Sequence, residues 1–432
     1  MSKHHDHPDH LDHLETRSSA QREADLFAAL PAQVQRAQAT AAYGEILQGI
    51  RAQDINTRAA LAGLPVTRKG ELHERQKRLR ASAATGSTAT SPFGGFATHH
   101  FGPHMPRLFA SPGPIYEPEG RAPDYWRMAR ALFAAGFRSG DLVHNCFSYH
   151  FVPAGSMMET GAHALGCTVF AGGTGQTEQQ VQAMAELQPA GYTGTPSFLK
   201  IILDKAAEMG VPLPSLRRAL VSGEACPPSL RDWLGERGVA AYQCYASADL
   251  GLIAYETEAR QGLVVDEGVL LEIVRPGTHE PVPDGEVGEV VVTSFSPDYP
   301  LVRFGTGDLS AVLPGPCPTG RTNLRIRGWL GRADQTTKVR GMFIHPSQVH
   351  DITRRFSEVG RARLVVQGEM ANDRMTLHVE VASAPSAVPA GLNERIAEAI
   401  RDVTKLRGDV QCVPAGSLPN DGKVIEDART YQ

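Results

Sequence analysis

Between Tyr125 and Val221 the hydrophobic pattern switches repeatedly between helical and strand periodicity, and this alternation constrains the fold more than any other feature. Helical spacing over Tyr125–Ala135 gives way to an apolar run at Asp141–Phe147. The pattern then repeats, with helices predicted over Met157–Leu165, Thr177–Leu187 and Pro196–Met209. Strands are predicted at Cys167–Ala171, Gly191–Thr195 and Leu216–Val221, the last opening on Ser222-Gly-Glu-Ala225. A helix between two strands carries the chain back to the same end of the sheet, so a largely parallel sheet with helices on both faces follows. The character changes after Leu252. Val264–Val274, Gly288–Ser294 and Ser310–Leu313 read as strands joined by Gly, Pro and Asp turns, which predicts antiparallel β structure. Beyond about Gln335, strands over Arg363–Gln367 and Arg374–Val381 and a helix over Leu392–Val403 make a small α+β unit.

Upstream of the alternation, residues 14–53 carry apolar residues at helical spacing (Leu26, Leu30, Val34) and predict one or two amphipathic helices. Residues 54–123 are less regular. A length of 432 residues exceeds what one hydrophobic core supports. Three segments are expected: a polar His-rich tail with helices (1–53), a large α/β domain (54–333) and a C-terminal domain (334–432). A net charge of -4 provides no basic field for nucleic acid or an anionic membrane surface. No apolar run approaches the ~20 residues that span a bilayer, so a cytoplasmic location is the expectation. Six cysteines without CxxC spacing read as small buried hydrophobes in a reducing compartment. The cluster His4, His5, His7, His10 and His13 reads as a disordered tail without a specific role, with weak metal binding as the alternative.

Three short blocks carry chemistry. Phe304-Gly-Thr-Gly-Asp308 places an Asp in a glycine turn, where it can accept from a ribose diol. Gly331-Arg332-Ala-Asp334-Gln-Thr-Thr-Lys338-Val-Arg-Gly341 follows, and an arginine fork suits phosphate oxygens. Leu418-Pro-Asn-Asp-Gly-Lys423 lies near the C-terminus. In this order and spacing the blocks resemble the adenylate-forming enzymes, and within them the phenylacetate–CoA ligase family. The resemblance extends over roughly residues 60–430.

The resemblance implies an enzyme that joins a small, aromatic or similar carboxylic acid to the α-phosphate of ATP, expels pyrophosphate, and passes the acyl group to coenzyme A, with magnesium. It implies that the C-terminal domain is a mobile lid. Ser222, Gly223 and Glu224 would cradle the adenine, a glycine there letting the backbone approach the base. Tyr245-Ala246-Ser-Ala-Asp249 is similar to the motif whose acid holds magnesium; here the acid is Asp249, and the expected hydroxyl has become Ala248 beside Ser247. Asp308 would bind the ribose, and Arg332 the ribose or α-phosphate. Asp334, or Gln335, stands where relatives pivot, while Lys338 and Gly341 would reach the site during thiol transfer. Lys423 matches the mobile lysine that stabilises charge on the reacting oxygens. Phe147, Tyr149 and Phe151 would line the acyl pocket, with core packing as the alternative for each. No nucleic acid or membrane partner is expected, and a homodimer is left open.

Two departures stand out. The phosphate loop of the family is rich in Ser, Thr and Gly, but Ser111-Pro-Gly-Pro-Ile-Tyr-Glu117 stands in its place. Proline offers no N–H, and Glu117 would repel a triphosphate. The run Thr85–Thr90 is the alternative loop. A zinc cluster found in some relatives is reduced to Cys317-Pro-Thr-Gly-Arg321, one thiolate short, so no structural zinc is expected. These departures keep a second reading in view, a remnant of the fold that binds nucleotide or acyl-CoA without adenylating.

Overall fold

A computed structural model of the chain describes residues 9–83, 92–333, 335, 337–344, 346–368, 373–381, 389–419 and 423–429. The alternative phosphate run Thr85–Thr90, His4, His5 and His7, and Asp334 lie outside the described residues. The chain forms two compact units, Met1–Leu330 and Gly331–Gln432.

In the first unit the strands Ala240–Ser247, Arg218–Val221, Gly191–Gly194, Leu142–Asn145 and Thr168–Ala171 lie side by side in that order, all parallel. The helices Ala154–Ala164, Thr177–Leu187, Pro196–Glu208 and Pro228–Glu236 lie on the connections, and Met128–Ala134 leads into the strand Leu142–Asn145. The hydrophobic alternation therefore reports the topology within a few residues at each boundary. The sheet continues antiparallel through Gly251–Glu256, Leu263–Val265, Arg325–Ile326 and Val312–Leu313. A second, mostly antiparallel sheet orders Thr67–Arg68, Phe304–Ser310, Gly288–Ser294 and Val269–Val274. The single strand expected over Val264–Val274 is thus two. Asp266-Glu267-Gly268 breaks it, and its halves enter different sheets.

Besides a small hydrophobic cluster of Val66, Val274 and Val291, two large ones lie in this unit. One includes Trp126, Leu132, Phe137, Val143, Leu220 and Leu252 around the parallel sheet. The other joins Leu30, Val34, Tyr43, Phe93, Phe96 and Phe304. The helix Ser19–Gln38 enters the second cluster with Leu26, Phe27, Leu30, Val34 and Ala37, spaced to share one face, and is capped where the Ser18 side chain accepts from Gln21 N–H. The helix Lys69–Ala83 was not expected, because its charged sequence has little apolar stripe. It is fastened by Gln76, fully buried, whose amide both donates to and accepts from the backbone of Tyr116 at 2.9 Å.

The expectation of a tail without a role fails for residues 9–16. Glu15 is fully buried and ion-paired with Arg130 and Arg321, each at 2.8 Å, and Asp12 meets Arg130 at 2.7 Å. His10 Nε2 lies 2.9 Å from the Thr319 carbonyl. Two largely buried arginines need carboxylates, and this segment supplies them. Arg303 does similar work at the second sheet. Its side chain has no exposure, pairs with Glu272 at 2.9 Å, and donates to the carbonyls of Ala62 and His279.

In the second unit, the strands Asp409–Pro414, Arg374–Val381, Val359–Gln367 and Ile425–Asp427 form a sheet in that order. The helices Pro346–Thr353 and Leu392–Thr404 share its core with Leu364, Leu377, Ile396 and Ile400. Among the described residues no helix is long and apolar enough to cross a membrane.

Candidate active site

The carboxyl ends of parallel strands, where a sheet's connections diverge, are the usual place for ligands in α/β sheets. Most candidates in the first unit sit there. Ser222 follows the strand Arg218–Val221, Tyr245 lies two residues before the end of the strand Ala240–Ser247, and Phe147, Tyr149 and Phe151 follow Leu142–Asn145.

Asp308 is the best-defined element. The Tyr245 hydroxyl donates to its Oδ2 at 2.8 Å, and Trp329 Nε1 donates to its Oδ1 at 3.1 Å. The Tyr245 hydroxyl also lies 3.1 Å from Thr306 Oγ1. Thr306 Oγ1 in turn accepts from Asp308 N–H at 3.1 Å, closing a small network around Gly307, which lies within the strand Phe304–Ser310 and not in the turn the sequence suggests. Gly307 has φ +75°, a left-handed value that costs glycine nothing. Both carboxylate oxygens accept hydrogen bonds, which fixes the orientation of the group, and a carboxylate is an acceptor suited to a vicinal diol. Trp329 and Thr306 escaped the sequence reading, although Trp329 stands only two residues before Gly331.

Ser222 donates to the Cys244 carbonyl at 2.8 Å, and Gly223 adopts φ +84°. Glu224 accepts from Ser197 N–H at 2.7 Å, in the first turn of the helix Pro196–Glu208. Ala246 continues the strand carrying Tyr245, and Ser247 Oγ accepts from Leu250 N–H at 3.2 Å, so its hydroxyl serves the turn. Phe147 packs in the core, whereas Tyr149 is partly exposed, with its hydroxyl accepting from Asn145 at 2.8 Å. Phe151 is 79% exposed. A cavity of about 350 Å³ lined by Arg22, Leu26, Arg58 and Leu271 contains none of these residues.

Asp249 is buried, and its Oδ2 pairs with Lys69 Nζ at 2.7 Å. Its Oδ1 is buried without a hydrogen-bond partner. The supposed phosphate loop is a hairpin, Arg107–Ser111 paired antiparallel with Ile115–Glu119, and Glu117 points inward. Burial first, then the nearby charge of Asp249, push its carboxyl up to about 8. A folded-state value above the ordinary one gives stability that is fully present below about 4.5 and lost as pH rises through about 8. Relative to a Glu117→Gln variant, the wild type should therefore lose stability on the order of a few kcal/mol between about pH 5 and pH 9. Urea unfolding of both proteins across that range checks this, and parallel pH profiles would refute it.

In the second unit Lys338 lies in a hairpin, Thr337–Val339 with Met342–Ile344. Arg340 and Gly341 form its two-residue turn with φ +46° and +83°, the mirror-image turn that matches strand twist. Gln335 Oε1 accepts from Val424 N–H at 2.7 Å, tying the segment before the hairpin to the one that carries the exposed Lys423. Arg332 is partly buried.

Residues 124–296 match the model of the AMP-binding enzymes, and residues 341–428 match that of the AMP-binding enzyme C-terminal domain. The phenylacetate-coenzyme A ligase of Thermus thermophilus is 32% identical over 317 residues, covering 68% of this chain and 71% of that protein. The enzyme of the same name from Aromatoleum evansii is 30% identical over 350 residues, 77% and 75% of the two chains. The chain belongs to the phenylacetate-coenzyme A ligase family. A solved member of the wider fold, 2-hydroxyisobutyryl-CoA ligase in complex with 2-HIB-AMP and CoA, superposes with a TM-score of 0.79 at 24% identity over 97% of this chain and 92% of that one. The α/β architecture with a smaller C-terminal domain is thus that of the adenylate-forming enzymes. For a phenylacetate-coenzyme A ligase family member, Lys69 is the largest omission from the sequence reading. It stands 180 residues from Asp249, and no local motif marks it.

Proposed function

We propose that this acid–thiol ligase activates a small, aromatic or similar carboxylic acid with ATP, holds it as an acyl-adenylate, and transfers it to coenzyme A. The observation that carries the reading is the Asp308 carboxylate, oriented by Tyr245 and Trp329. Arg332 would meet the ribose or the α-phosphate, and Ser222, Gly223, Glu224 and Ala246 would border the base. Phe147, Tyr149 and Phe151 would face the acid, Tyr149 and Phe151 with their exposed surfaces. Lys423 would serve adenylation, and Lys338 and Gly341 thiol transfer, with Asp334 or Gln335 as the pivot. The 2-hydroxyisobutyryl-CoA ligase was solved with an acyl-adenylate and CoA, which accords with this order of steps. A cytoplasmic location is part of the proposal.

Magnesium requires oxygen ligands, and the orphaned Asp249 Oδ1 offers one. That fits an ion carried in on the nucleotide, with its charge offsetting that of the phosphates, better than a resident site. Two features favour the remnant reading: the inward Glu117 and the missing hydroxyl at Ala248. Pyrophosphate release measured with ATP, magnesium and a panel of benzoate- and phenylacetate-like acids separates the readings. Release with at least one acid supports the ligase; AMP binding without any release supports the remnant.

Asp308→Ala should weaken AMP and ATP alike, by roughly ten- to a hundredfold, since hydrogen bonds to a charged acceptor are lost. Calorimetric titration checks it. Wild-type AMP affinity in the variant would detach Asp308 from the nucleotide.

A further inference from the structure

Glu117 occupies a cradle of anion-binding type. Its carboxyl accepts from the backbone N–H of Ser111 at 3.2 Å and from the Ser111 hydroxyl. It is fully buried, within the electrostatic reach of Asp249 and of the Lys69 ammonium. The buried Tyr299 lies in the field of both carboxyl groups, and its hydroxyl, like Asp249 Oδ1, has no hydrogen-bond partner. A backbone N–H, a hydroxyl and an ammonium gathered near one turn form a donor set suited to phosphate oxygens. Two carboxyl groups buried close together cost free energy, and neither a hydroxyl nor an amide at position 117 would incur that cost. The cradle also adjoins Asp249, four residues beyond the Tyr245 that orients Asp308.

We propose that Glu117 is a resident carboxyl group filling the subsite of the outer phosphates, so that the site selects adenosine monophosphate esters, AMP and acyl-adenylates, over ATP. The inference rests on the reading of Tyr245 and Asp308 as the nucleotide site. Protonated or not, the carboxyl holds the Ser111 donors; ionised, it also repels phosphate. ATP must displace it, whereas an adenylate ester need not. The β- and γ-phosphates therefore add no affinity, and adenylation operates at high ATP concentration while thiol transfer from the adenylate is unhindered. Fastening of Tyr116 by Gln76 keeps the hairpin strand in place and makes displacement costly.

The test is calorimetric titration of the full chain with AMP and with α,β-methylene ATP at one fixed magnesium concentration. Wild type is compared with Glu117→Thr and Glu117→Ser, which remove the carboxyl and leave a hydroxyl in the strand. The wild type should bind the ATP analogue no more tightly than AMP. The variants should bind the analogue at least about tenfold more tightly, with AMP affinity within about twofold of wild type. Retained AMP binding also reports that a variant is folded. If both variants fail to bind AMP, the wild-type ratio alone decides, and an analogue bound about tenfold more tightly than AMP overturns the proposal. An unchanged ratio in a variant that binds AMP normally refutes the role of Glu117 and leaves the nucleotide site standing. Failure of the wild type to bind AMP at all removes the nucleotide site and this inference with it.

Discussion

Lys423→Ala should slow acyl-adenylate formation by about a hundredfold or more, a loss of ~3 kcal/mol of transition-state stabilisation, while thiol transfer from preformed adenylate is nearly spared. Adenylation brings a carboxylate against the α-phosphate, so negative charge accumulates on oxygens that must approach one another. A compact ammonium on a four-carbon stem offsets that charge where it develops and can withdraw afterwards. Lys423 is the candidate for this role. It is exposed, and the segment next to it is anchored where Gln335 accepts from Val424 N–H and where Ile425 pairs with Leu364 in the sheet. Single-turnover measurement of each half-reaction decides the matter. Equal losses in both would mean that Lys423 binds nucleotide generally or supports the unit, and the assignment to adenylation would fall.

Arg303→Ala should destabilise the first unit by about 3–5 kcal/mol, because truncating one member of a buried ion pair strands the other. The arginine side chain has no exposure, and that of Glu272 is 8% exposed. The same guanidinium also satisfies the carbonyls of Ala62, Leu64 and His279, so with Glu272 four acceptor groups lose their partner together. Arg303 immediately precedes the strand Phe304–Ser310, which carries Asp308, and AMP affinity should fall along with stability. Exchanging both partners for apolar residues, Arg303→Met with Glu272→Leu, should recover the part of the loss that comes from the stranded Glu272 carboxylate, while the carbonyls of Ala62, Leu64 and His279 still lack their donor. Urea unfolding of the single and double variants is the check. A single-variant loss below about 1 kcal/mol would show that water reaches the pair and that the carbonyls find other donors.

Local pattern and the chain's own chemistry made much of this protein legible from sequence. The βα alternation from Tyr125 to Val221 reports a parallel sheet, because each element buries its own apolar face at its own period. The helix Thr177–Leu187 and the strands Gly288–Ser294 and Arg374–Val381 have the expected boundaries for the same reason. The family was legible through three short blocks whose residue types suit ribose, phosphate and a mobile cation. Other features depend on partners distant in sequence. The helix Lys69–Ala83 has too little apolar stripe to announce itself, and tertiary contacts such as the clamp of Gln76 on Tyr116 hold it. Val264–Val274 looks continuous, yet Asp266 pairs with Arg127 and Glu267 with Arg22, and the chain changes sheets between them. Residues 9–16 resemble a solvated tail until Arg130 and Arg321, more than a hundred residues away, claim Glu15. Glu117 could be read as a misplaced charge in a loop, but its inward direction follows from hairpin register, which no local pattern reports here. Periodicity acts over a few residues and so determines elements from sequence, while the short blocks carry the family resemblance. Which charges meet in the interior is set by long-range packing, and only the tertiary structure decides it.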